Sequence, residues 1–266
     1  MSRESSPPTR AYRYLRNQLG SLRGVYFQGN SIVRHGDLGQ RKETVLLLHG
    51  FMQTRAVWEV MEDRLRYDGY GVFSFDLGGL LYRFNTRPIH QLSEIIAEKV
   101  EGICTRYDLQ HFHIIGHSKG GLIARHYVQR LGGDARVRSL ITLGTPHHGT
   151  PTALLAVGLF GGGLLSRAPL QMIPKSPFMR WLNRDPFPAQ VPLTSIYSRA
   201  DLVCPYWCSI LRPRVGETHL VNREVQGVGH TELCYDPGIY RIVQQRLAEA
   251  CALWDEREGA LPSTGR

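Results

Sequence analysis

Ser118 sits in Gly116-His117-Ser118-Lys119-Gly120-Gly121, a G-x-S-x-G pattern. Acyl transfer by a serine needs an accessible hydroxyl, a base to take its proton, a carboxylate to orient that base, and donors for the oxygen that becomes negative. The bare pattern says little in a chain with 28 glycines. Its setting says more, because an apolar stretch ends at Ile115 and a helical pattern begins near Lys119. A strand-to-helix turn of this kind strains the backbone at its apex, so the flanking residues must be small. It also lifts the hydroxyl clear of the sheet, beside the free N–H groups of the helix start.

The remaining parts are sought by position. Where a serine stands on such a turn, the order along the chain is serine, acid, histidine. Eleven histidines make composition useless for choosing a base. His230, in Gly227-Val228-Gly229-His230, lies just past the last expected strand and before the C-terminal helix. Asp201, in Ser198-Arg199-Ala200-Asp201, directly follows the preceding strand. His230 is therefore expected to be the general base and Asp201 its orienting carboxylate. Glu232 and Asp236 are the rival acids, better explained as residues favoured at a helix N-terminus by its dipole. His49-Gly50-Phe51 follows the first apolar strand and suits an oxyanion hole built from the backbone N–H groups of Phe51 and Lys119, with Gly50 permitting close approach. The Lys119 side chain is expected to be exposed or paired with a carboxylate.

The elements that must position these residues follow from periodicity. Thr44–Leu48 is a short apolar run without a polar face, as for a strand buried on both sides. Val72–Asp76, His111–Ile115, Val137–Leu143, Leu193–Ser198 and Arg223–Gly227 read as further strands. Helices are expected over Arg55–Arg66, Leu92–Arg106, Lys119–Leu131 (closed by Gly132-Gly133), and Ile239–Leu253. Such alternation predicts an α/β fold, a mostly parallel sheet with helices on both faces. The rhythm breaks between Pro146 and Pro192, a strand-free stretch rich in Gly, Pro and Leu. It reads as a cap or lid insertion over the carboxyl edge of the sheet, where open α/β sheets bind ligands. Its apolar run, Ala153–Leu165, offers Leu154, Leu155, Leu159, Phe160 and Leu164 as lid or acyl-pocket residues. The expected organisation is a tail over 1–23, one domain over 24–258 with the insertion at about 146–192, and a tail over 259–266.

Composition limits the partners. An apolar share of 42% and a charged share of 21% describe an ordinary globular chain. The balance of 32 Lys and Arg against 23 Asp and Glu gives +9, which suits contact with an anionic membrane surface. The basic residues are scattered and no nucleic-acid-binding motif accompanies them, so no nucleic-acid partner is expected. The N-terminal stretch has no apolar leader core, and no apolar run approaches the ~20 residues of a membrane span, which predicts a cytoplasmic chain. Oligomeric state is left open. Five cysteines cannot all pair within one chain. Cys104 and Cys251 read as buried small hydrophobes. Cys204, Cys208, His230 and Cys234 have spacings that zinc could use, but His230 cannot be both ligand and base. The three cysteines are better read as buried thiols, with a Cys204–Cys234 bridge as a lesser option, and no metal or cofactor is expected.

Taken together, HGF at 49–51, GHSKGG at 116–121, LGTPHHGT at 143–150, YSRADLVCP at 197–205 and GVGHTELCYDP at 227–237 make the chain resemble a bacterial triacylglycerol lipase/esterase group of the α/β-hydrolases. The motifs run in family order from about residue 44 to 240. The resemblance implies the α/β-hydrolase fold and lipase or carboxylesterase activity on a small or lipid-like ester, without an organic cofactor. Acyltransfer or thioester cleavage on the same scaffold, and an idle site on a lipid-binding protein, are the alternatives. Lys119 departs from the family, standing where many lipases carry Met or Gln, and so does the lack of a leader, since many lipases are secreted.

Overall fold

The computed structural model describes residues 38–78 and 85–260. Six strands form one sheet in the order β2-β1-β3-β4-β5-β6, and every neighbouring pair is parallel. The strands are β1 (Thr44–Leu48), β2 (Gly71–Ser74), β3 (Phe112–His117), β4 (Val137–Leu143), β5 (Leu193–Ser198) and β6 (Leu220–Val225). The helices that cover them are α1 (Glu59–Tyr67), α2 (Ile89–Tyr107), α3 (Lys119–Arg130) and α8 (Pro237–Ala260). Among the described residues no helix is long and apolar enough to cross a membrane.

Side-chain alternation in β1 explains the layering. Leu46 and Leu48 point to one face, where they join Leu92, Ile96 and Val100 of α2 and Leu122 and Ile123 of α3. Val45 and Leu47 point to the other, against Trp58, Met61 and Leu65 at α1 and Ile239, Val243 and Leu247 of α8. Spacings of four in α1, α2 and α8 present one apolar stripe to the sheet, whereas α3 is buried at every position from Lys119 to Val128. A strand with two covered faces has no use for a polar residue, which is why β1 reads as an unbroken apolar run.

β1, β4 and β5 have the expected bounds, whereas the other strands differ at their ends. β2 stops at Ser74, two residues short of expectation, and β3 continues to His117, the residue before Ser118. β6 begins at Leu220, three residues earlier than its sequence suggested. It is an edge strand, and Arg223 and Glu224, on its two faces, are both exposed. Its bounds are fixed by pairing with β5, from Leu193↔Leu220 to Ser198↔Val225, and not by apolar alternation. The proposed tail over 1–23 and residues 261–266 of the C-terminal one lie outside the described residues. Over 146–192 the chain makes α4 (Thr152–Leu159), a 3-10 turn at Gly161–Gly163, α5 (Ala168–Met172) and α6 (Pro177–Leu182), with no strand. A last short helix, α7 (Tyr206–Ser209), follows β5.

α3 enters the sheet unusually closely. A methyl group on Gly120 would lie 2.0 Å from the Leu48 carbonyl oxygen, and one on Gly121 would lie 2.1 Å from Thr145 Oγ1. A backbone carbonyl in a central strand cannot step aside, so Gly120→Ala is expected to cost about 3 kcal/mol or more, read by urea unfolding. A second prediction concerns acid. His49, at the carboxyl end of β1, is fully buried. Burial, reinforced by the nearby Lys119 and Arg55 charges, pulls its pKa down to about 3 against the weaker opposing hydrogen bond to Gly50. The unfolded chain then takes the proton first, so stability is intact above about pH 6.5 and lost as pH falls toward 3. At pH 5 this one ring accounts for about 2 kcal/mol. Between pH 7 and pH 5, His49→Asn should lose about that much less stability than the unsubstituted protein.

Candidate active site

Ser118 forms the junction between β3 and α3, with φ 53° and ψ −122°. Left-handed backbone at a residue with a side chain is costly and persists only where its surroundings impose it. Here the Ser118 N–H donates to the Leu143 carbonyl (2.8 Å). Its own carbonyl accepts from Gly121 N–H (3.1 Å) and Thr145 Oγ1 (2.9 Å). Glycine at 116 is equally constrained, since a methyl group there would lie 2.6 Å from Gly121 Cα. Ser118 itself is only partly covered, although its neighbours His117 and Lys119 are buried.

The structure brings Asp201 and His230 together at the same carboxyl edge. Asp201 Oδ2 lies 2.6 Å from His230 Nδ1. Its other oxygen accepts from the backbone N–H groups of Val203 (2.9 Å) and Cys204 (2.7 Å), which fixes the carboxylate in a tight turn after β5. Both side chains are buried. The His230 loop is tied to the serine turn through His117, whose Nε2 meets the His230 backbone carbonyl (3.0 Å) and whose ring centroid is 4.5 Å from that of His230. The rival acids are engaged elsewhere. Glu232 accepts from Gly229 N–H (2.7 Å), and Asp236 caps α8 through Gly238 and Ile239 N–H (2.7 and 3.0 Å).

The 49–53 loop lies beside the serine: a methyl group on Gly50 would come within 2.9 Å of Ser118 Cβ. Gln53 Oε1 accepts from Gly50 N–H (2.8 Å) and contacts His117 Nδ1 (2.8 Å), linking this loop to the serine turn. Lys119 is the first residue of α3, so its backbone N–H belongs to the unpaired set at the helix start.

Its side chain corrects the expectation of an exposed or carboxylate-paired lysine. Lys119 is fully buried, and Nζ donates to Asn85 Oδ1 (2.6 Å), the Asn85 carbonyl (3.3 Å) and the Arg87 carbonyl (2.5 Å). Three neutral acceptors use the three ammonium donors, and the Phe51 ring lies 5.7 Å from Nζ. Burial pushes its pKa well below the usual lysine range. Asn85 passes the restraint on, donating from Nδ2 to the His49 carbonyl (2.8 Å) and from its N–H to the Gln53 carbonyl (3.3 Å).

Two contributors were missed by the sequence reading. Asn85 carries no motif at all. Gly144, inside LGTPHHGT, has φ +55°. A methyl group there would lie 3.0 Å from Asp201 Oδ2 and 3.1 Å from His230 Nδ1, so glycine leaves room for the pair. A glycine immediately after a central strand was the available signal.

Phe160 packs edge-on against Phe51, with centroids 5.3 Å apart, and so covers the 49–53 loop. Leu154, Leu155, Leu159 and Leu164 face outward, the last with 88% of its surface exposed. An α4 that is apolar on every side cannot bury all of them against one neighbour. Cys204, Cys208 and Cys234 are buried free thiols, so the Cys204–Cys234 bridge is not formed. Burial raises all three pKa values. Cys104 is buried as expected, but Cys251 is only half-buried.

Comparison with known proteins agrees with this architecture. A family model described as alpha/beta hydrolase fold matches residues 43–162. Two Arabidopsis thaliana proteins, named "Probable lysophospholipase BODYGUARD 3" and "Probable lysophospholipase BODYGUARD 4", are 29% and 27% identical over 116 and 113 residues. Those stretches are 41% and 42% of this chain but only 22% and 27% of the relatives' length. Among solved structures, the mature form of Bacillus licheniformis lipase BlEst2 superposes with a TM-score of 0.63 at 17% identity, covering 82% of this chain and 96% of that one. Aspergillus fumigatus lipase B gives 0.62 at 16% identity, covering 81% and 56%. A monoacylglycerol lipase of Paleococcus ferrophilus gives 0.55 at 17% identity, covering 78% and 94%. Likeness at such identity is one of fold. The sheet order, the matched stretch and these superpositions make the chain a protein of the α/β-hydrolase fold.

Proposed function

We propose that the chain is a serine hydrolase that cleaves carboxylic esters of lipid-like substrates through an acyl-enzyme. The observation that carries this reading is the meeting, at one edge of the sheet, of a serine in strained left-handed backbone with a buried carboxylate–imidazole pair 2.6 Å apart. His230 takes the Ser118 proton as the hydroxyl attacks the ester carbonyl, and later gives it to the leaving alcohol. Asp201 holds the proton on Nδ1, leaving Nε2 free to act, and stabilises the imidazolium. The backbone N–H groups of Phe51 and Lys119 receive the developing oxyanion. The Lys119–Asn85 bonds hold the 49–53 loop in place for this, so no reorganisation is needed when the charge forms. The second half-reaction repeats these steps with water in place of the alcohol.

A lipid-like substrate is favoured by the surface around the site. Leu155, Leu159, Leu164 and Leu165 on the insertion are exposed, as are Leu202, Val203 and Trp207 after β5. The two stretches are joined where Thr152 Oγ1 donates to the Val203 carbonyl (2.7 Å). Over 146–192 the one acidic residue, Asp185, is paired with Arg130 and Arg184, while Arg167, Lys175 and Arg180 are exposed. An apolar rim with a surplus of positive charge suits an anionic bilayer surface. The lipase and lysophospholipase names of the similar proteins point the same way.

Hydrolysis of a nitrophenyl ester series by wild type, Ser118→Ala and Asp201→Asn tests the chemistry. Loss of about 10³-fold or more is expected in both variants, with rates rising from acetate to longer acyl chains. Undiminished turnover in Ser118→Ala removes the nucleophile assignment, and an acetate optimum removes the lipid-like one. Co-sedimentation with vesicles tests the surface. Binding should be stronger to phosphatidylglycerol-containing than to phosphatidylcholine vesicles, should weaken with salt, and should fall in a Leu155→Ser/Leu159→Ser variant.

A further inference from the structure

We propose that Glu43, His113 and Cys251 form a zinc site at the amino edge of the sheet, the edge opposite Ser118. Glu43 immediately precedes β1, His113 is the second residue of β3, and Cys251 lies on α8. Their ligand atoms all fall within 4.8 Å of one another, the one such group among the described residues.

The spacing fits the metal. Tetrahedral zinc, with bonds of roughly 2.0–2.1 Å to nitrogen or oxygen and 2.3 Å to sulfur, requires N···O edges of about 3.3 Å and N···S edges of about 3.6 Å. His113 Nε2 lies 3.2 Å from Glu43 Oε2 and 3.6 Å from Cys251 Sγ. The supporting groups are also in place. His113 Nδ1 is paired with Ser139 Oγ (2.7 Å), which orients the fully buried ring so that Nε2 faces the other two ligands. Arg138 Nη1 holds the second carboxylate oxygen, Glu43 Oε1, at 2.6 Å, leaving Oε2 for the metal.

A thiol, an imidazole and a single carboxylate oxygen form a set suited to zinc and not to magnesium or calcium, which prefer oxygen ligands. Binding exchanges the Cys251 thiol proton, released to solvent, for a bond to Zn²⁺. The thiolate and carboxylate then balance the dication. Three protein ligands leave the fourth position to water. The bound ion would join α8 to the starts of β1 and β3, beside the hydrogen bond that Trp254 Nε1 already donates to the Arg138 carbonyl (2.8 Å).

The test uses the tag-free full chain, stripped with a chelator and titrated with Co²⁺ as the spectroscopic probe. One equivalent should produce intense tetrahedral visible bands and a thiolate-to-cobalt charge-transfer band, both abolished by added Zn²⁺. Zn²⁺ should raise the thermal midpoint of the wild type. In Cys251→Ser the charge-transfer band should vanish and zinc affinity fall by more than about 100-fold, and Ser139→Ala should lower affinity by about 10-fold. Circular dichroism establishes that each variant is folded. A folded wild type that gives no charge-transfer band, or a band that persists in Cys251→Ser, overturns the proposal.

Discussion

The structure is organised around a backbone conformation that Ser118 would not adopt alone. Left-handed φ at a serine costs on the order of 1–3 kcal/mol, and nothing within the serine returns it. The cost is met by the neighbours: β4 takes the Ser118 N–H, Thr145 and Gly121 take its carbonyl, and close packing of α3 on β1 and β3 leaves no room for another path. Every glycine of GHSKGG is explained by that crowding. β3, α3 and β4 must therefore be correctly assembled before the turn can exist, so the turn is a readout of the central sheet.

Lys119 supplies a second kind of constraint. A buried ammonium without a carboxylate is expensive unless each of its protons is hydrogen-bonded. Here all three are, to acceptors at Asn85 and Arg87. Because Asn85 also binds His49 and Gln53, the charge stiffens a loop to which it has no covalent connection. A methionine at the same position could fill the space but could not organise three carbonyl dipoles. A lysine at this position thus has its local structural counterpart in Asn85.

Much of this was legible in the sequence, for reasons that differ by element. β1 and β4 are covered on both faces, so burial alone writes their bounds into the residues. β6 was misplaced because an edge strand owes its extent to its partner. Asp201 and His230 could be found because chain order and strand ends place them, and the Gly227–Gly229 turn marks the second. The Lys119 environment could not be, since its acceptors come from residues 85–87, which carry no helical or strand signal. The leucines of α4 suggested a lid or acyl-pocket wall, but composition reports that a segment is apolar and not which way each side chain faces, and Leu154, Leu155 and Leu159 are exposed. Asn85 illustrates the general limit: a side chain whose importance lies in who it meets leaves no periodic trace.

The two apolar layers differ in when they can be made. The layer shared by α2 and α3 is built largely from chain between residues 89 and 140, whereas the opposite layer joins α1 to α8, segments about 180 residues apart. During synthesis the second layer stays open until α8 has left the ribosome, leaving Trp58, Met61 and Val45 without their final cover. A chain arranged in this way completes its fold late and is committed to long-range closure, a topology that slows folding and exposes apolar surface to other nascent chains. Truncation within α8 would therefore be felt first as aggregation during expression, before any question of catalysis arises.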